Sequence, residues 1–323
     1  MSVVKQIPRH FLSIRDITRE ELLRLVERSA EIKTAYKANY AARKPVALSG
    51  LEGQNVAMLF SKRSTRTRIS VESATTCLGG NSLFLGKDDI QLGVNECMYD
   101  TARVISSMTS GIVARVNSYN DVATLAKHSS TPVINGLCDT FHPLQALADL
   151  LTIKETFGTF DNLKVAWVGD VNNVLHDMLI ACAKLGIGAA VAKPKDVSIR
   201  TDILALIKEA AKEKNTKIEF KDDPKEAVKN ADIVVTDTWV SMGQEAEKEQ
   251  RLKQFAGYQV TEQIMELANK SGKFMHCMPR HPEEVTDEVF YGPRSLVFQE
   301  AENRKWTTIA ALEAFFVNRG NIL

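Results

Sequence analysis

Residues 55–77, which read NVAMLFSKRSTRTRISVESATTC, decide the fold of the first half of the chain. An apolar run of strand length, residues 56–60, passes into a polar segment and then into a helical pattern. Such an unbroken apolar run is typical of a strand that is buried on both faces of a parallel sheet. The stretch therefore predicts the first strand–helix unit of an α/β domain.

Outward from this stretch, short apolar runs alternate with helical segments along most of the chain. We predict helices at residues 18–36, 65–78, 99–108, 143–156 and 306–318, and further strands at 111–116, 132–134, 163–168, 189–192, 217–220, 233–235, 274–276 and 296–298. This alternation indicates βαβ units and parallel sheets. The predicted fold class is α/β, with two domains that are each a parallel-sheet α/β sandwich.

The two predicted domains divide the chain near the middle of one helix. We place the first domain at residues 1–148 and the second at residues 149–305, and we expect the last helix, within residues 306–323, to pack back on the first domain. Ligands of open α/β sheets bind beyond the carboxyl ends of the strands. Because reactive residues follow strands in both halves, we expect the active site in the cleft between the domains.

Composition excludes several classes of protein. Lys and Arg total 41 against 40 Asp and Glu, so the net charge of +1 predicts no attraction for nucleic acid or an anionic membrane. No apolar run is long enough to cross a bilayer. The five cysteines are scattered without a CxxC pair, which predicts neither a disulfide framework nor a zinc site. We expect no metal and no cofactor.

The segment after the first strand is a candidate anion site. Ser64, Thr65 and Thr67 supply hydroxyls, and Arg66 is one of four cations within residues 62–68. A helix N-terminus attracts anions, and clustered cations there are unfavourable unless an anion neutralises them. We therefore favour a bound anion over a solvated basic turn. The glycines of a Walker loop are missing, which excludes a P-loop.

Two more candidates lie at predicted strand ends of the first half. Arg115 interrupts an apolar strand, and a buried arginine needs an anionic or carbonyl partner. His142 precedes Pro143, which suits a first helical position, and Gln145 lies about one turn further on. Together the imidazole and the amide can hydrogen-bond a carbonyl and an adjacent amine. A structural salt bridge and a capping histidine are the alternatives.

The second half carries groups suited to an amino acid. Residues 169–173, GDVNN, stand where a dinucleotide fold places its glycine-rich turn, but the glycines do not match, which excludes a nicotinamide site. Two asparagines there suit an amino-acid carboxylate or amine, although one can be a helix cap. Asp237 follows a strand and is the natural counterpart of a substrate ammonium. Gly243 indicates that its loop can move over a ligand.

A thiol lies at another predicted strand end. Residues 276–280 read HCMPR, and Cys277 there is a candidate, although an isolated cysteine is more often buried and inert. Its position near the loop of Asp237 favours a role in the site. We interpret His276 as structural and Glu284 as ordinary surface charge.

These motifs together resemble the ornithine carbamoyltransferase family. The match covers essentially the whole chain and consists of residues 64–68 (STRTR), 142–145 (HPLQ), 237–243 (DTWVSMG), 276–280 (HCMPR) and 300–306 (EAENRKW). The first two motifs are shared with carbamoyltransferases in general, including those for aspartate. The motif at residues 237–243 and the motif that contains Cys277 distinguish the ornithine enzymes.

The resemblance implies a role for each site residue. Carbamoyl phosphate would be held by Ser64, Thr65, Arg66, Thr67, Arg115, His142, Gln145, Cys277, Met278 and Arg304. Ornithine would be held by Asn173, Asp237, Ser241 and Met242. The catalytic residues would be Cys277, Asp237, Arg115 and His142.

The resemblance also implies an assembly and a location. The family forms trimers, in which a loop reaches the phosphate of the neighbouring subunit; Gln91 stands where many relatives carry histidine in that loop. The first residues, MSVVK, lack a secretory h-region and an Arg-rich presequence, so either the protein is cytoplasmic or a presequence is absent from this chain. Family habit favours the mitochondrial matrix, with the cytoplasm as the alternative.

The expected reaction is carbamoyl transfer from carbamoyl phosphate to the δ-amine of L-ornithine, giving L-citrulline for arginine biosynthesis. One alternative is a carbamoyltransferase for another amine, such as putrescine or aspartate. Asp237 favours a cationic acceptor over aspartate, and Asn173 favours an amino acid over a diamine. The other alternative is a ligand-binding relative without activity, which we would expect to have lost Arg66, His142 or Cys277.

Overall fold

The computed structural model describes residues 8–43, 48–92, 95–240 and 247–322. The chain divides into two compact units, Met1–Leu151 with Asn303–Leu323, and Thr152–Glu302. We call them unit 1 and unit 2. The first limit between the units falls within one helix, Pro143–Phe157, and the second within another, Val297–Leu312. None of the described helices is long and apolar enough to cross a membrane.

Unit 1 is built on a four-stranded parallel sheet. Its strands are β1 (Asn55–Phe60), β2 (Asn81–Gly86), β3 (Gly111–Arg115) and β4 (Val133–Leu137), in the order β2-β1-β3-β4. The helices are α1 (Arg19–Ala41), α2 (Arg66–Cys77), α3 (Met98–Met108), α4 (Tyr119–His128) and α5 (Pro143–Phe157), of which the last continues into unit 2. The chain passes from β1 to β2 on one side and then to β3 on the other. A topological switch point therefore lies between β1 and β3, where open α/β sheets bind ligands.

Unit 2 is built on a five-stranded parallel sheet. Its strands are β5 (Lys164–Val168), β6 (Gly188–Ala192), β7 (Ile218–Lys221), β8 (Ile233–Val235) and β9 (Lys273–Met275), in the order β7-β6-β5-β8-β9. The helices are α6 (Asn173–Leu185), α7 (Thr201–Ala211), α8 (Pro224–Val228), α9 (Lys248–Gln254), α10 (Glu262–Met265) and α11 (Asp287–Phe290). The switch point of this sheet lies between β5 and β8.

The last long helix, α12 (Val297–Leu312), begins in unit 2 and ends in unit 1, where the π-helical turn Glu313–Val317 follows it. Phe315 stacks on Phe11 at 5.2 Å between ring centroids, and Glu313 forms a bidentate ion pair with Arg28 of α1. Both contacts lie within unit 1. They attach the end of the chain to the N-terminal segment.

The predicted fold class, with two parallel-sheet α/β domains, is confirmed. The predicted first helix begins with a capping box, in which Thr18 and Glu21 each accept from the other's backbone N–H. The helices α4 and α6 to α11 were not predicted individually, and two assignments of strands differ from the prediction. Residues 297–298 begin α12 and do not belong to a strand, since an apolar run of three cannot distinguish the two. The edge strand β2 was not predicted, because its apolar run, residues 83–85, is only three residues long and its side chains are partly exposed.

Candidate active site

The turn between β1 and α2 lies at the switch point of unit 1. Ser61 N donates to Arg115 O at 2.8 Å, so this turn is joined to the end of β3. Ser64 Oγ accepts from Thr67 N at 3.2 Å, and the first turn of α2 contains no acidic residue. The turn therefore presents hydroxyls, helix N-terminal amides and the cation Arg66 together, which is the chemistry of an anion site.

Arg68 is the exception among the predicted cations. Its guanidinium forms an ion pair with Glu72 at 3.0 Å, one helical turn further on, and lies over the ring of Phe84. The side chain is exposed. Its charge is thus neutralised on the surface of α2, so the clustering of four cations that supported the anion site is reduced to three.

Arg304 lies at the centre of the site residues of unit 1. Its Nη1 donates to Gln145 Oε1 at 2.6 Å and faces His142 Nε2 at 3.4 Å. Its Nη2 donates to Thr67 Oγ1 at 3.3 Å. The structure thus places together four residues that the sequence separates by up to 237 positions. Arg115, which ends β3, is buried as well, at 6% exposure.

His142 is a neutral imidazole in this environment. Burial lowers its pKa well below the usual 6.5, and the positive charges of Arg304, Arg115 and Arg66 lower it further. Because the guanidinium of Arg304 can only donate, Nε2 of His142 must be the accepting nitrogen. The proton of the neutral ring is therefore on Nδ1. The alternative of a mere helix cap does not explain this group of cations.

The site residues of unit 2 meet at its own switch point. Asp237, two residues beyond β8, is buried and accepts from Asn172 Nδ2 at 2.7 Å and from Cys277 Sγ at 3.2 Å. Asn172 also caps α6, accepting from the backbone of Val174 and Leu175. Asn173 is the first residue of that helix. Asn173 and Asp237 were predicted site residues, whereas the direct contact of Asn172 with Asp237 was not predicted.

His276 orders the backbone beside Cys277. Its Nδ1 accepts from Met278 N at 2.8 Å, and its Nε2 lies 3.3 Å from Glu284 Oε1. The interpretation of Glu284 as surface charge was wrong, because this carboxylate is 1% exposed. The local sequence does not distinguish Glu284 from its neighbour Glu283, which is partly exposed, so the burial of Glu284 could not be predicted.

One group of potential metal ligands occurs among the described residues. Ligand atoms of Asp237, His276 and Cys277 lie within 4.8 Å of one another. However, both ring nitrogens of His276 already have hydrogen-bond partners. A metal ion would have to displace the Met278 amide or the Glu284 carboxylate, so this group does not fit a metal centre.

A mostly buried ion pair joins the segments that follow β5 and β8 in unit 2. Arg251 Nη2 lies 2.6 Å from Asp170 Oδ2, and Arg251 Nε donates to Trp239 O. Burial raises the pKa of the Asp170 carboxyl, while Arg251 lowers it. Asp170 follows β5 and Trp239 follows β8. The pair was not predicted, because Arg251 lies in a strongly charged segment that reads as surface.

Four further predicted site residues remain to be located in the structure: Ser241, Met242, Gln91 and Met278. Ser241 and Met242 lie outside the described residues. Gln91 is exposed in the segment that follows β2, where its Oε1 accepts from Asn95 Nδ2 at 2.8 Å. Met278 adopts a φ of +58°, which turns the backbone immediately after Cys277.

Comparison with family models finds two matches. Residues 9–155 match the carbamoyl-P binding domain of aspartate/ornithine carbamoyltransferase, and residues 161–315 match its Asp/Orn binding domain. Together they cover most of the chain.

Full-length relatives and solved structures agree with these matches. The chain is 74% identical over 319 residues to a mitochondrial ornithine carbamoyltransferase of Schizosaccharomyces pombe, covering 99% of this chain and 98% of the relative. It is 48% identical to the ornithine carbamoyltransferase of Saccharomyces cerevisiae, covering 97% and 95%. The crystal structure of the mitochondrial enzyme from Coccidioides immitis superimposes with a TM-score of 0.90 at 52% identity, covering 98% of this chain and 100% of that one.

Proposed function

Because the chain belongs to the aspartate/ornithine carbamoyltransferase family, we propose that it transfers the carbamoyl group of carbamoyl phosphate to the δ-amine of L-ornithine. The products are L-citrulline and phosphate. The observation that carries this proposal is the 74% identity, over nearly the whole chain, to a relative named for that reaction. The two sets of site residues support it.

Unit 1 supplies the residues proposed to bind carbamoyl phosphate. Ser64, Thr65, Arg66 and Thr67 at the start of α2 would bind the phosphate through hydroxyls, amides and charge. The carbonyl oxygen would accept from Arg115 and His142, and the carbamoyl nitrogen would face Gln145. Arg304, which already contacts three of these residues, would add a further contact.

Unit 2 supplies the residues proposed to bind ornithine. Asp237 is a buried carboxylate held by Asn172 and Cys277, and it suits an ammonium group much better than a second carboxylate. This favours ornithine over aspartate as the acceptor. Asn173, Ser241 and Met242 would bind the amino-acid end, which putrescine lacks. Met278 would place its backbone beside the carbamoyl group.

The proposed mechanism is direct attack of the neutral δ-amine on the carbonyl carbon. Asp237 and Cys277 orient the amine, and the carboxylate of Asp237 helps to accept its proton. Arg115, Thr67 and His142 stabilise the oxyanion that develops, the kind of contribution that is usually largest in acyl transfer. The C–O bond to phosphate then breaks, and the phosphate leaves with its charge held by the start of α2.

One assay tests the reaction and its alternatives. The protein is incubated with carbamoyl phosphate and, separately, ornithine, putrescine or aspartate, and the ureido product is measured. We expect citrulline from ornithine and at most traces from the other amines. Asp237→Asn, which keeps the shape but removes the charge, should raise the KM for ornithine far more than that for carbamoyl phosphate. Absence of citrulline with the unmodified protein would refute the function and favour a ligand-binding relative.

We further propose that unit 1 is the carbamoyl-phosphate-binding domain, with the end of the chain belonging to it, and that unit 2 is the ornithine-binding domain. The domain limits would then lie near residues 148 and 305, as the sequence predicts. The ranges of the two family models, which change between residues 155 and 161, support the first limit, and the division into compact units, which assigns Asn303–Leu323 to unit 1, supports the second.

The proposed assembly is a homotrimer, in which Gln91 approaches the phosphate of a neighbouring subunit. Unit 1 exposes several large apolar side chains, and exposed apolar surface of this kind marks a site of protein–protein contact. They are Ile69 of α2, Leu83 of β2, and Tyr99, Val104 and Met108 of α3. In addition, β2 is an edge strand.

The proposed location is the mitochondrion, and more specifically its matrix. The support is that relatives at 74% and 57% identity are named mitochondrial. Fractionation of cells that express the tagged full-length protein tests this. Recovery with cytosolic markers would instead support the alternative location.

A further inference from the structure

Asp149 is a buried carboxylate that the proposed reaction does not use. It lies on α5 one helical turn beyond Gln145 and is 2% exposed. Gln145 Nε2 donates to Asp149 Oδ1 at 2.8 Å, and Gln145 is itself 1% exposed. Burying an ionised carboxylate costs free energy unless hydrogen bonds or an opposite charge compensate it. Its contact with a proposed substrate-binding residue suggests where that benefit lies.

The amide of Gln145 is held from both ends. On one side Arg304 Nη1 donates to Oε1 at 2.6 Å, and on the other side Asp149 accepts from Nε2. A guanidinium has only donors and an ionised carboxylate has only acceptors. If the amide turned by 180°, Nε2 would face the guanidinium donors of Arg304 and Oε1 would face the carboxylate of Asp149. Both hydrogen bonds would then be lost. These neighbours therefore decide the orientation of the amide.

This orientation matters because a carbamoyl group carries an NH₂ where an acyl group of similar shape carries a methyl group. Gln145 Oε1 has a second lone pair beyond the one used by Arg304, and it can accept from the carbamoyl NH₂. The Nε2 end has only donors, so it cannot accept from a carbamoyl NH₂. A methyl group in place of the NH₂ could not donate and would gain nothing from Oε1.

We propose that Asp149 is a positioning residue that holds the Gln145 amide with its oxygen toward the carbamoyl nitrogen, and so sets the preference for a carbamoyl over an acyl phosphate. This rests on the proposed function, in which Gln145 faces the carbamoyl nitrogen. Asp149 itself does not touch the substrate. Its effect passes through Gln145.

The test compares two stable ligands that differ at one position. Phosphonoacetamide and acetonylphosphonate share a phosphonate and a carbonyl, and differ only in carrying NH₂ or CH₃. Their Kd values are measured by calorimetry for each variant, and the ratio of the two is the readout. The unmodified protein is first assayed for citrulline. Failure there concerns the proposed function, whereas an unchanged ratio in active protein concerns Asp149.

For Asp149→Ala we expect the preference for phosphonoacetamide to fall by about tenfold, which is the factor that 1.4 kcal/mol represents. The Kd of acetonylphosphonate should change little. Asp149→Asn can keep an oxygen that accepts from Gln145 Nε2, and should retain the preference to within about twofold. Glu155→Gln, a similar change at an exposed position on the same helix, serves as the control.

A double-mutant cycle shows whether Asp149 acts through Gln145. In Gln145→Met the preference should already be lost, and adding Asp149→Ala should not lower it further. The proposal is overturned if Asp149→Ala weakens both ligands equally, if Asp149→Asn loses the preference as well, or if the two effects add. Should Asp149→Ala fail to fold, Asp149→Ser replaces it. If neither folds, Asp149 serves the fold rather than the amide, and the proposal is overturned.

Discussion

At the residue scale, the neighbour of a reactive group decides what that group can do. Cys277 Sγ donates to the Asp237 carboxylate at 3.2 Å. A thiol that donates in this way keeps its proton, whereas the nucleophilic form of cysteine is the thiolate. The adjacent carboxylate would repel a thiolate. The contact therefore supports an orienting role and argues against a carbamoyl-cysteine intermediate.

Cys277→Ser tests this reading. A serine hydroxyl can still donate to Asp237, so we expect kcat to fall by up to about 10²-fold, the lower end of the range for a lost proton-transfer group, with citrulline still formed. Cys97→Ser, at an exposed cysteine that starts α3, should leave kcat unchanged. Complete loss of product in Cys277→Ser, with a carbamoylated Cys277 found by intact mass spectrometry in the unmodified protein, would contradict the orienting role.

His142 gives a prediction about pH. Folding lowers its pKa below 6.5, so the native ring stays neutral while the unfolded chain binds a proton. The stability that this group contributes is therefore present above pH 6.5 and is lost as the pH falls toward the native pKa.

The measurement follows the imidazole carbon resonances of ¹³C-histidine-labelled protein, with His142→Gln to assign the signal. We expect no titration of His142 in the native protein between about pH 6 and 8, and ordinary titration in denaturing urea. A native inflection near 6.5 would show that the cations around the ring do not control it.

At the element scale, the turn that ends β5 depends on Gly169. Its φ is +131°, a region that is essentially restricted to glycine. A Cβ there would lie 3.2 Å from Trp239 Nε1 and 3.3 Å from Thr236 Oγ1. Both neighbours belong to the segment that follows β8, which also contains Asp237. The turn at Gly169 is thus packed against the segment that contains Asp237, which is proposed to bind ornithine.

Gly169→Ala should therefore disturb both stability and binding. We expect a loss of about 1–3 kcal/mol in the free energy of unfolding, from backbone strain, and a raised KM for ornithine with little change in that for carbamoyl phosphate. Gly188→Ala, at the start of β6, is the matched control, because its Cβ would meet its nearest neighbour at 3.6 Å, an ordinary contact. Equal melting temperatures and equal KM values for the two variants would contradict the prediction.

At the scale of the whole molecule, the exposed apolar residues of unit 1 predict self-association. Val104 and Met108 lie on one face of α3, at 46% and 66% exposure. Light scattering should give a mass three times the 35.9 kDa of the chain. The double variant Val104→Lys and Met108→Lys should shift the mass toward the monomer while circular dichroism stays unchanged. A monomeric unmodified protein would exclude the trimer.

Much of the fold could be predicted from local patterns, because the period and the length of a hydrophobic pattern are properties of short segments. Eight of the nine strands among the described residues were predicted from short apolar or alternating segments. The edge strand β2 could not be predicted, since its pairing with β1 rather than its hydrophobicity makes it a strand. The start of α12 was predicted as a strand, because its first residues are apolar, whereas in the structure they continue into a helix.

At the site, the available chemical groups and the strand that each one follows can be read from the order of the residues. Ser64–Thr67, His142, Asp237 and Cys277 are identified in this way. The partners of the site residues depend on the folded chain: Arg304 contacts Gln145, Asp149 contacts the same amide, and Glu284 contacts His276. Such pairings depend on distances between segments far apart in sequence and on burial, which makes an unpaired polar group costly. Neither quantity is contained in the local pattern of residues.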